Sequence, residues 1–164
     1  INILPILWFI FAKGMICIPM EKQQLRGLNM PLMVEKNEEH TKCNFTVSVD
    51  ARQGITTGIS AKDRARTISL LAGKNSKASD FVRPGHVFPL QAASGGLKER
   101  QGHTEASINL CKRAGKQPVA VICEILNDDG SMSRMPQLRE FSKKHHLALI
   151  SINDLLKANC YGTN

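Results

Sequence analysis

Apolar and polar positions alternate along this chain in a way that predicts short strands separated by helices. Apolar or period-two runs bounded by Pro, Gly or Asp predict strands at residues 15–19, 45–50, 87–90, 119–126 and 147–150. Apolar residues at helical spacing, with capping residues at the boundaries, predict helices at residues 21–28, 61–71, 104–114 and 136–145, and a short one after Ser151. Because strands and helices alternate, we expect a single α/β layered domain.

Turn-forming residues mark the boundaries between these elements. Ser60 is a candidate N-cap and Gly115 a candidate C-cap. Loops or turns are predicted at residues 33–41, 54–58, 95–96 and 127–130. For residues 54–58 the alternative prediction is a short strand whose backbone lies close to another part of the chain.

The composition is that of one globular domain. The chain has 164 residues, 42% hydrophobic and 22% charged, which is enough for a core of its own. Its five cysteines are odd in number and show no CxxC spacing, so neither a zinc site nor a disulfide framework is predicted. A reducing, cytoplasmic location fits this pattern. Cys17 and Cys123 lie in apolar strands, and we expect both to be buried and unbridged.

The formal net charge of +8 bears on the choice of partner. A basic surface attracts nucleic acid, a membrane or a phosphorylated metabolite. Lys and Arg are scattered along the chain without a dense basic run, which disfavours nucleic acid.

The first residues are almost wholly apolar. They are too few for a transmembrane helix, which needs about 20 residues, and they lack the charged start of a signal peptide. We interpret residues 1–13 as the remnant of an N-terminal helix, followed by a domain at 14–157 and a tail at 158–164. Pro5 leaves open a second interpretation, translated non-native sequence.

Candidate chemistry is concentrated in residues 83–106, which hold two histidines, two arginines and two glutamates. His103 and Thr104 open a predicted helix, and Arg100 lies just before it. A helix start offers free N–H groups and a positive dipole end, and Arg can bind phosphate through two hydrogen bonds. The segment is therefore a candidate phosphate site, in which His103 is also a candidate metal ligand. The alternative is a helix-capping segment with an incidental histidine.

Two further side chains are candidates for proton transfer. Glu124 interrupts an apolar strand, where a carboxylate is paired, at a strand end or functional. Its alternative is an outward-facing residue on an alternating strand. His86 begins a strand and is a candidate proton carrier, or else a satisfied core histidine.

Six blocks of sequence are highly specific when taken together. They are Gly-Met-Ile-Cys at 14–17, Phe-Thr-Val-Ser-Val-Asp-Ala at 45–51, Thr-Thr-Gly-Ile-Ser-Ala-Lys-Asp-Arg-Ala at 56–65, Pro-Gly-His-Val-Phe-Pro-Leu at 84–90, Gly-His-Thr-Glu-Ala at 102–106 and Ile-Cys-Glu-Ile-Leu-Asn-Asp-Asp-Gly at 122–130. In order and spacing they resemble the 3,4-dihydroxy-2-butanone 4-phosphate synthase family of riboflavin biosynthesis. The resemblance runs from about Lys13 to Leu156. It implies a three-layer α/β sandwich with a mixed β-sheet, and a homodimer.

The resemblance also implies an activity and a set of roles. The family converts D-ribulose 5-phosphate to 3,4-dihydroxy-2-butanone 4-phosphate and formate, using Mg²⁺. For this chain the resemblance implies the same metal, with Mn²⁺ as the alternative, and no nucleic-acid or membrane partner. His86 and Glu124 would transfer protons, and His103 would bind the metal. Substrate-binding groups would be Arg100, Gln101, Gly102, His103, Thr104 and Glu124. We expect one pocket to hold His103 and Glu124, with Arg100 at its rim and His86 nearby or supplied by a partner subunit.

One departure from the family pattern concerns the metal. Family members carry an acidic loop upstream of the Gly-x-x-Cys strand, whereas no residue before Gly14 is acidic here. Residues 35–39 are superficially similar but stand in the wrong position. We therefore expect little or no lyase activity from this chain alone, because Mg²⁺ relies on carboxylate ligands. The alternative functions are a nucleotide- or RNA-binding module of the related tRNA-modification fold, and a catalytically inactive interaction protein.

Overall fold

The computed structural model describes residues 12–160, with side chains described to residue 158. Most of the predicted N-terminal remnant (residues 1–13) and most of the predicted tail (158–164) therefore lie outside the described residues. Between residues 12 and 160, no helix combines the length and the apolar character that crossing a membrane requires.

Three strands form a mixed sheet in the order β1–β3–β2. In chain order their bounds are Cys17–Met20, Val49–Ala51 and Phe81–Gln91. β1 lies parallel to β3, with Cys17 opposite Phe88. β2 lies antiparallel to β3, with Val49 opposite Val87. The long strand β3 therefore lies in the centre of the sheet and takes part in both pairings.

Within the described residues, five α-helices accompany this sheet. In chain order, α1 to α5 span Lys22–Gly27, Ala61–Leu71, His103–Arg113, Met135–Lys144 and Ile152–Cys160. α2 packs against β2 and β3, whereas α3 packs against β1 and α5. The helix predictions are confirmed to within one or two residues, and the mixed sheet with packed helices confirms the α/β class.

The main hydrophobic core lies where the sheet meets α1 and α2. Its fully buried members include Ile18, Met20, Leu25, Leu71, Phe81 and Val87. Each such side chain contributes roughly 1.5–3 kcal/mol through its removal from water. This core fixes β3, the strand from which His86 projects.

The central strand is much longer than predicted. The sequence predicted residues 87–90, because Pro84 and Gly85 resemble strand-ending residues, but β3 already begins at Phe81. Pro89 has no N–H to donate, but its carbonyl still takes part in the sheet. It accepts hydrogen bonds from the backbone N–H and the hydroxyl of Thr46, at 3.1 and 3.0 Å. Sheet pairing thus overrides the local preference of Pro and Gly.

The predicted strand 45–50 is regular only at its end. β2 begins only at Val49, and its register with β3 shifts between Val49 and Asp50. Before the strand, Phe45 forms an isolated bridge with Leu90. Thr46 and Asp50 stand at the polar positions of the alternating pattern, yet both are buried. The alternation therefore does not separate a core face from a solvent face here.

The predicted strand 119–126 lies antiparallel beside β1 but pairs only through isolated bridges. Val119 is opposite Met20 and Ile122 is opposite Cys17, whereas the next bridge, at Ile125, is shifted by one residue. This shift interrupts the ladder, and the segment is half-buried where the prediction had it buried.

The predicted strand 147–150 is wrong. These residues have no regular secondary structure and form no bridge with any described residue, and Leu147, Leu149 and Ile150 are exposed. Apolar β-formers alone do not make a strand without a partner strand.

The predicted turns are confirmed. Residues 54–58 form bends and no strand, and residues 33–41 form a loop that follows the isolated bridge between Leu32 and Thr46. At 127–130, the N–H of Gly130 donates to the carbonyl of Asn127 at 3.0 Å. Gly115 follows the end of α3 in a left-handed conformation.

Ser60 provides a direct test of the helix boundary. Its hydroxyl accepts the N–H of Asp63 at 3.1 Å, which caps α2 as predicted. We expect Ser60→Ala to lower the free energy of unfolding by about 1 kcal/mol, measured by urea denaturation. The control is Ser69→Ala on the exposed face of α2, where Ala's higher helix propensity should leave stability unchanged or slightly raised. Equal stability of the two variants would contradict the cap.

Candidate active site

His86 is joined to a buried carboxylate. It projects from β3, where its Nδ1 lies 2.6 Å from Oδ2 of Asp50 and its backbone N–H donates to Oδ1 at 2.9 Å. Asp50 is 5% exposed, whereas the His86 side chain is 43% exposed. The carboxylate thus holds both the backbone and the ring of His86, while part of the imidazole remains accessible.

A tight loop lies against this pair. Gly58 adopts φ +92°, and a Cβ there would come closer than 3.0 Å to the Asp50 carboxylate and the His86 ring. The loop is anchored by Asp63, which accepts the Thr56 hydroxyl at 2.8 Å and the Gly58 N–H at 3.1 Å. The Thr56 hydrogen bond in particular lowers the pKa of Asp63. The anchor fixes the position of the loop against the histidine.

Arg100 is held by a second buried carboxylate. Its Nη1 donates to Oε2 of Glu105 at 2.7 Å, and its Nη2 donates to the Thr41 carbonyl at 3.1 Å. Glu105 is 2% exposed and also accepts the backbone N–H of Ala93 at 2.9 Å. Arg100 therefore connects the start of α3 to the loop that precedes β2. A guanidinium has five N–H donors, so three are left beyond these two contacts.

The start of α3 has the character of an anion site. Its N-cap is Gly102, and no side chain caps the helix. His103, the first helical residue, and Gln101 are exposed, whereas Thr104 is buried. Uncapped N–H groups at a helix start carry positive partial charge and favour an anion.

Glu124 lies beside the segment that leads into β1. Its Oε2 accepts the backbone N–H of Met15 at 2.9 Å, and its carbonyl accepts the N–H of Gly14 at 3.1 Å. The side chain is exposed. The carboxylate is thus anchored on one oxygen and open to solvent, which also matches the outward-facing alternative.

Two thiols interact with residues of the candidate site. Burial raises the pKa of Cys17 to about 12, with further contributions from Glu124, Cys43 and Cys123. Burial also raises the pKa of Cys43, against lowering by a hydrogen bond with Thr104 and by the charge of Arg100. Glu124 therefore lies within electrostatic reach of Cys17, and Arg100 within reach of Cys43.

The cysteine predictions are largely confirmed. Cys17 is buried and free, and Cys123 is free but only half-buried. Both thiols have raised pKa values, with burial as the main cause. They are therefore poor nucleophiles at neutral pH.

A cavity of about 480 Å³ is lined by charged residues of α1 and α3 and by the β3–α3 connection, but by none of the predicted site residues. We attach the chemistry to the hydrogen-bonded groups rather than to this cavity. The shared pocket of His103 and Glu124 stays a prediction.

The described residues do not by themselves form a metal cage. From residue 12 to 158, no group of three or more His, Cys, Asp or Glu side chains is arranged to hold a metal ion. His103 is exposed and available as a single ligand. Mg²⁺ prefers several oxygen ligands, so the remaining coordination would have to come from groups other than these side chains.

Two important residues were missed by the sequence reasoning. Asp50 and Glu105 belong to two of the family blocks, but the sequence assigns neither of them a role in the site. Their signal was an acidic residue inside an otherwise apolar or small-residue context, which implies a partner when buried. The sequence did not say which partner each would find.

Comparison with known proteins identifies relatives over most of the chain. The family model of 3,4-dihydroxy-2-butanone 4-phosphate synthase matches residues 7–158. The 3,4-dihydroxy-2-butanone 4-phosphate synthase of Agrobacterium fabrum is 50% identical over 145 residues, covering 88% of this chain and 68% of the relative. The monofunctional riboflavin biosynthesis protein RIBA 2, chloroplastic, of Arabidopsis thaliana is 53% identical over 148 residues, covering 89% of this chain. This chain spans only 31% of that plant relative's length.

Solved structures agree with the sequence comparison. A 3,4-dihydroxy-2-butanone 4-phosphate synthase in complex with two magnesium ions matches with a TM-score of 0.92 and 38% identity, covering 96% of this chain and 79% of that one. This likeness confirms the predicted sandwich fold. The chain belongs to the 3,4-dihydroxy-2-butanone 4-phosphate synthase family.

Proposed function

We propose that this chain is a lyase domain that converts D-ribulose 5-phosphate to 3,4-dihydroxy-2-butanone 4-phosphate and formate. The observation that carries the proposal is the 50% identity to the Agrobacterium fabrum synthase over 145 residues. No specific observation favours an RNA-binding module or an inactive interaction protein.

We assign proton transfer to His86 and Glu124. Support for His86 comes from its accessible ring, which a buried carboxylate holds in one orientation. Support for Glu124 comes from its carboxylate, which keeps one oxygen free of the Met15 hydrogen bond. Removing and returning protons on a sugar phosphate requires such positioned groups, each worth about 10²–10⁴ in rate.

We assign substrate binding to Arg100 and to the segment Gln101, Gly102, His103 and Thr104, with Glu124 contributing. The support is the uncapped start of α3 beside a guanidinium with unused donors. Helix dipole and guanidinium both favour the phosphate of the substrate. Because Glu105 fixes Arg100, this arrangement is preorganised.

We propose Mg²⁺ as the cofactor, with His103 as one ligand; Mn²⁺ is the alternative. Support comes from the relative that was solved with two magnesium ions. A divalent ion would polarise the substrate carbonyl. We also propose a homodimer in a cytoplasmic setting, although the Arabidopsis relative is named chloroplastic.

The test is release of formate from ribulose 5-phosphate and Mg²⁺, measured for this chain and for a version extended by a family N-terminal segment. Formate release by either version supports the proposed function, and no release by both contradicts it. In the more active version, we expect His86→Ala and Glu124→Gln each to lower kcat at least about 100-fold.

Matched controls lie outside the site. Glu140 and His146 are exposed residues of α4 and of the turn after it. Glu140→Gln and His146→Asn should retain wild-type turnover. If Glu124→Gln were as active as Glu140→Gln, the role of Glu124 would be wrong.

A further inference from the structure

Asp50 contacts His86 at two points, its backbone and its ring. One carboxylate accepts from the backbone N–H of His86 and also contacts its ring Nδ1, at 2.9 and 2.6 Å. The two residues are 36 positions apart and come from different strands. A buried aspartate that contacts an accessible histidine twice is suited to controlling the state of that ring.

The hydrogen bond determines which ring nitrogen carries the proton. An ionised carboxylate accepts hydrogen bonds and donates none, so the ring nitrogen facing it must be the protonated one. That leaves Nε2 of the neutral ring as the acceptor. Of the two nitrogens, Nε2 is therefore the one available to take a proton from a substrate.

The loop around Gly58 restricts the alternatives. Any side chain at Gly58 would come closer than 3.0 Å to both the carboxylate and the ring. The Asp63 carboxylate holds this loop in place by accepting hydrogen bonds from the Thr56 hydroxyl and the Gly58 N–H. The contact leaves little room for the ring or the carboxylate to rotate apart.

We propose that Asp50 is a positioning residue for His86: it fixes the neutral imidazole as the Nδ1–H tautomer, with Nε2 free. The consequence for turnover rests on the proposed function, since it requires His86 to be the proton carrier. The tautomer itself does not, because it follows from the hydrogen bond alone. Ser48, the residue before β2, offers a control, since its hydroxyl accepts the backbone N–H of Gly85 at 3.1 Å.

The experiment measures the tautomer by long-range ¹H–¹⁵N correlation of the His86 ring, at a pH above the ordinary histidine pKa. We expect the Nδ1–H form in the wild-type chain and in Ser48→Ala. Asp50→Asn keeps the size of the side chain and one acceptor oxygen, but it turns an N–H₂ group toward Nδ1 of the ring. Because that group donates, Nδ1 must accept, and the Nε2–H tautomer should replace the Nδ1–H tautomer. The wild-type spectrum alone can overturn the proposal: it does so if the ring is the Nε2–H tautomer or an even mixture of the two tautomers.

The second measurement is turnover, in the version that releases formate most rapidly. Asp50→Asn should lower kcat at least about 100-fold with little change in KM, whereas Ser48→Ala should retain wild-type kcat. A merely structural role would lower stability without changing the tautomer. If the tautomer switches while kcat is unchanged, Asp50 does not act through His86 and the proposal is wrong. If no version releases formate, the proposed function fails, while the spectrum still decides the tautomer.

Discussion

Replacing Gly85 with Ala is expected to lower the free energy of unfolding by at least about 3 kcal/mol. The added Cβ would come closer than 3.0 Å to the backbone of Val49 and Asp50 on the neighbouring strand. Backbone atoms in a paired sheet cannot rotate away as a side chain can, so the strands must separate. The measurement is urea denaturation together with the melting temperature, which should fall by roughly 6–12 °C for a chain of this size.

Gly27 provides the matched control for that substitution. It is the last residue of α1, is exposed, and has nothing within 4 Å of the position of a Cβ. Gly27→Ala should leave stability unchanged or raise it by up to about 1 kcal/mol, because Ala reduces the entropy of the unfolded chain. If Gly85→Ala were as stable as Gly27→Ala, β2 and β3 would not approach as closely as the structure has them.

Replacing Glu105 with Ala should have a comparable effect for an electrostatic reason. The substitution leaves Arg100 without its carboxylate partner and the N–H of Ala93 without its acceptor. Breaking a buried ion pair from one side costs about 3–5 kcal/mol. Glu105→Gln retains an acceptor oxygen, so its cost should be smaller, about 1–3 kcal/mol. Both free energies are measured by urea denaturation.

The effect of Glu105 should extend to the loop at Thr41. Arg100 holds that loop through the Thr41 carbonyl, and the Glu39 carboxylate holds the N–H groups of Thr41 and Cys43, both at 2.9 Å. Hydrogen exchange of these two amides should therefore accelerate in Glu105→Ala. The control is Glu99→Ala, which removes an exposed carboxylate from the same region and should cost less than about 1 kcal/mol. Equal stability of the two alanine variants would contradict the proposed importance of the buried pair.

Helices could be predicted from this sequence because their signals are local. Ser60 caps α2 through its own hydroxyl, and apolar residues at helical spacing are enough to orient α3. Strands were predicted less well because pairing depends on distant residues. β3 begins at Phe81 because that residue pairs with Ala51 of β2. No local sequence pattern predicts that Arg83, Pro84 and Gly85 belong to a strand. The segment 147–150 has the composition of a strand but no described partner.

The candidate site divides in the same way. His86, Arg100 and His103 could be selected from their residue types and positions, because polar groups at strand and helix ends are typical of sites. Their partners could not. Asp50 reaches His86 only after β2 has paired with β3. Glu105 reaches Ala93 only once the connection between β3 and α3 has folded back on the start of the helix. Sequence reasoning therefore found the groups that face solvent and missed the buried carboxylates that hold them.

The parallel pairing of β1 with β3 also determines when this domain can begin to fold during synthesis. Cys17 and its partner Phe88 are about 70 residues apart, and all four residues of β1 are buried in the finished domain. At roughly 5–20 residues per second, a ribosome needs roughly 4–14 seconds to make the intervening chain. During that interval β1 cannot pair with β3, so its apolar side chains are available to chaperones or to other nascent chains. Ribosome-bound fragments that end before Phe81 should therefore associate with chaperones more strongly than fragments that include β3.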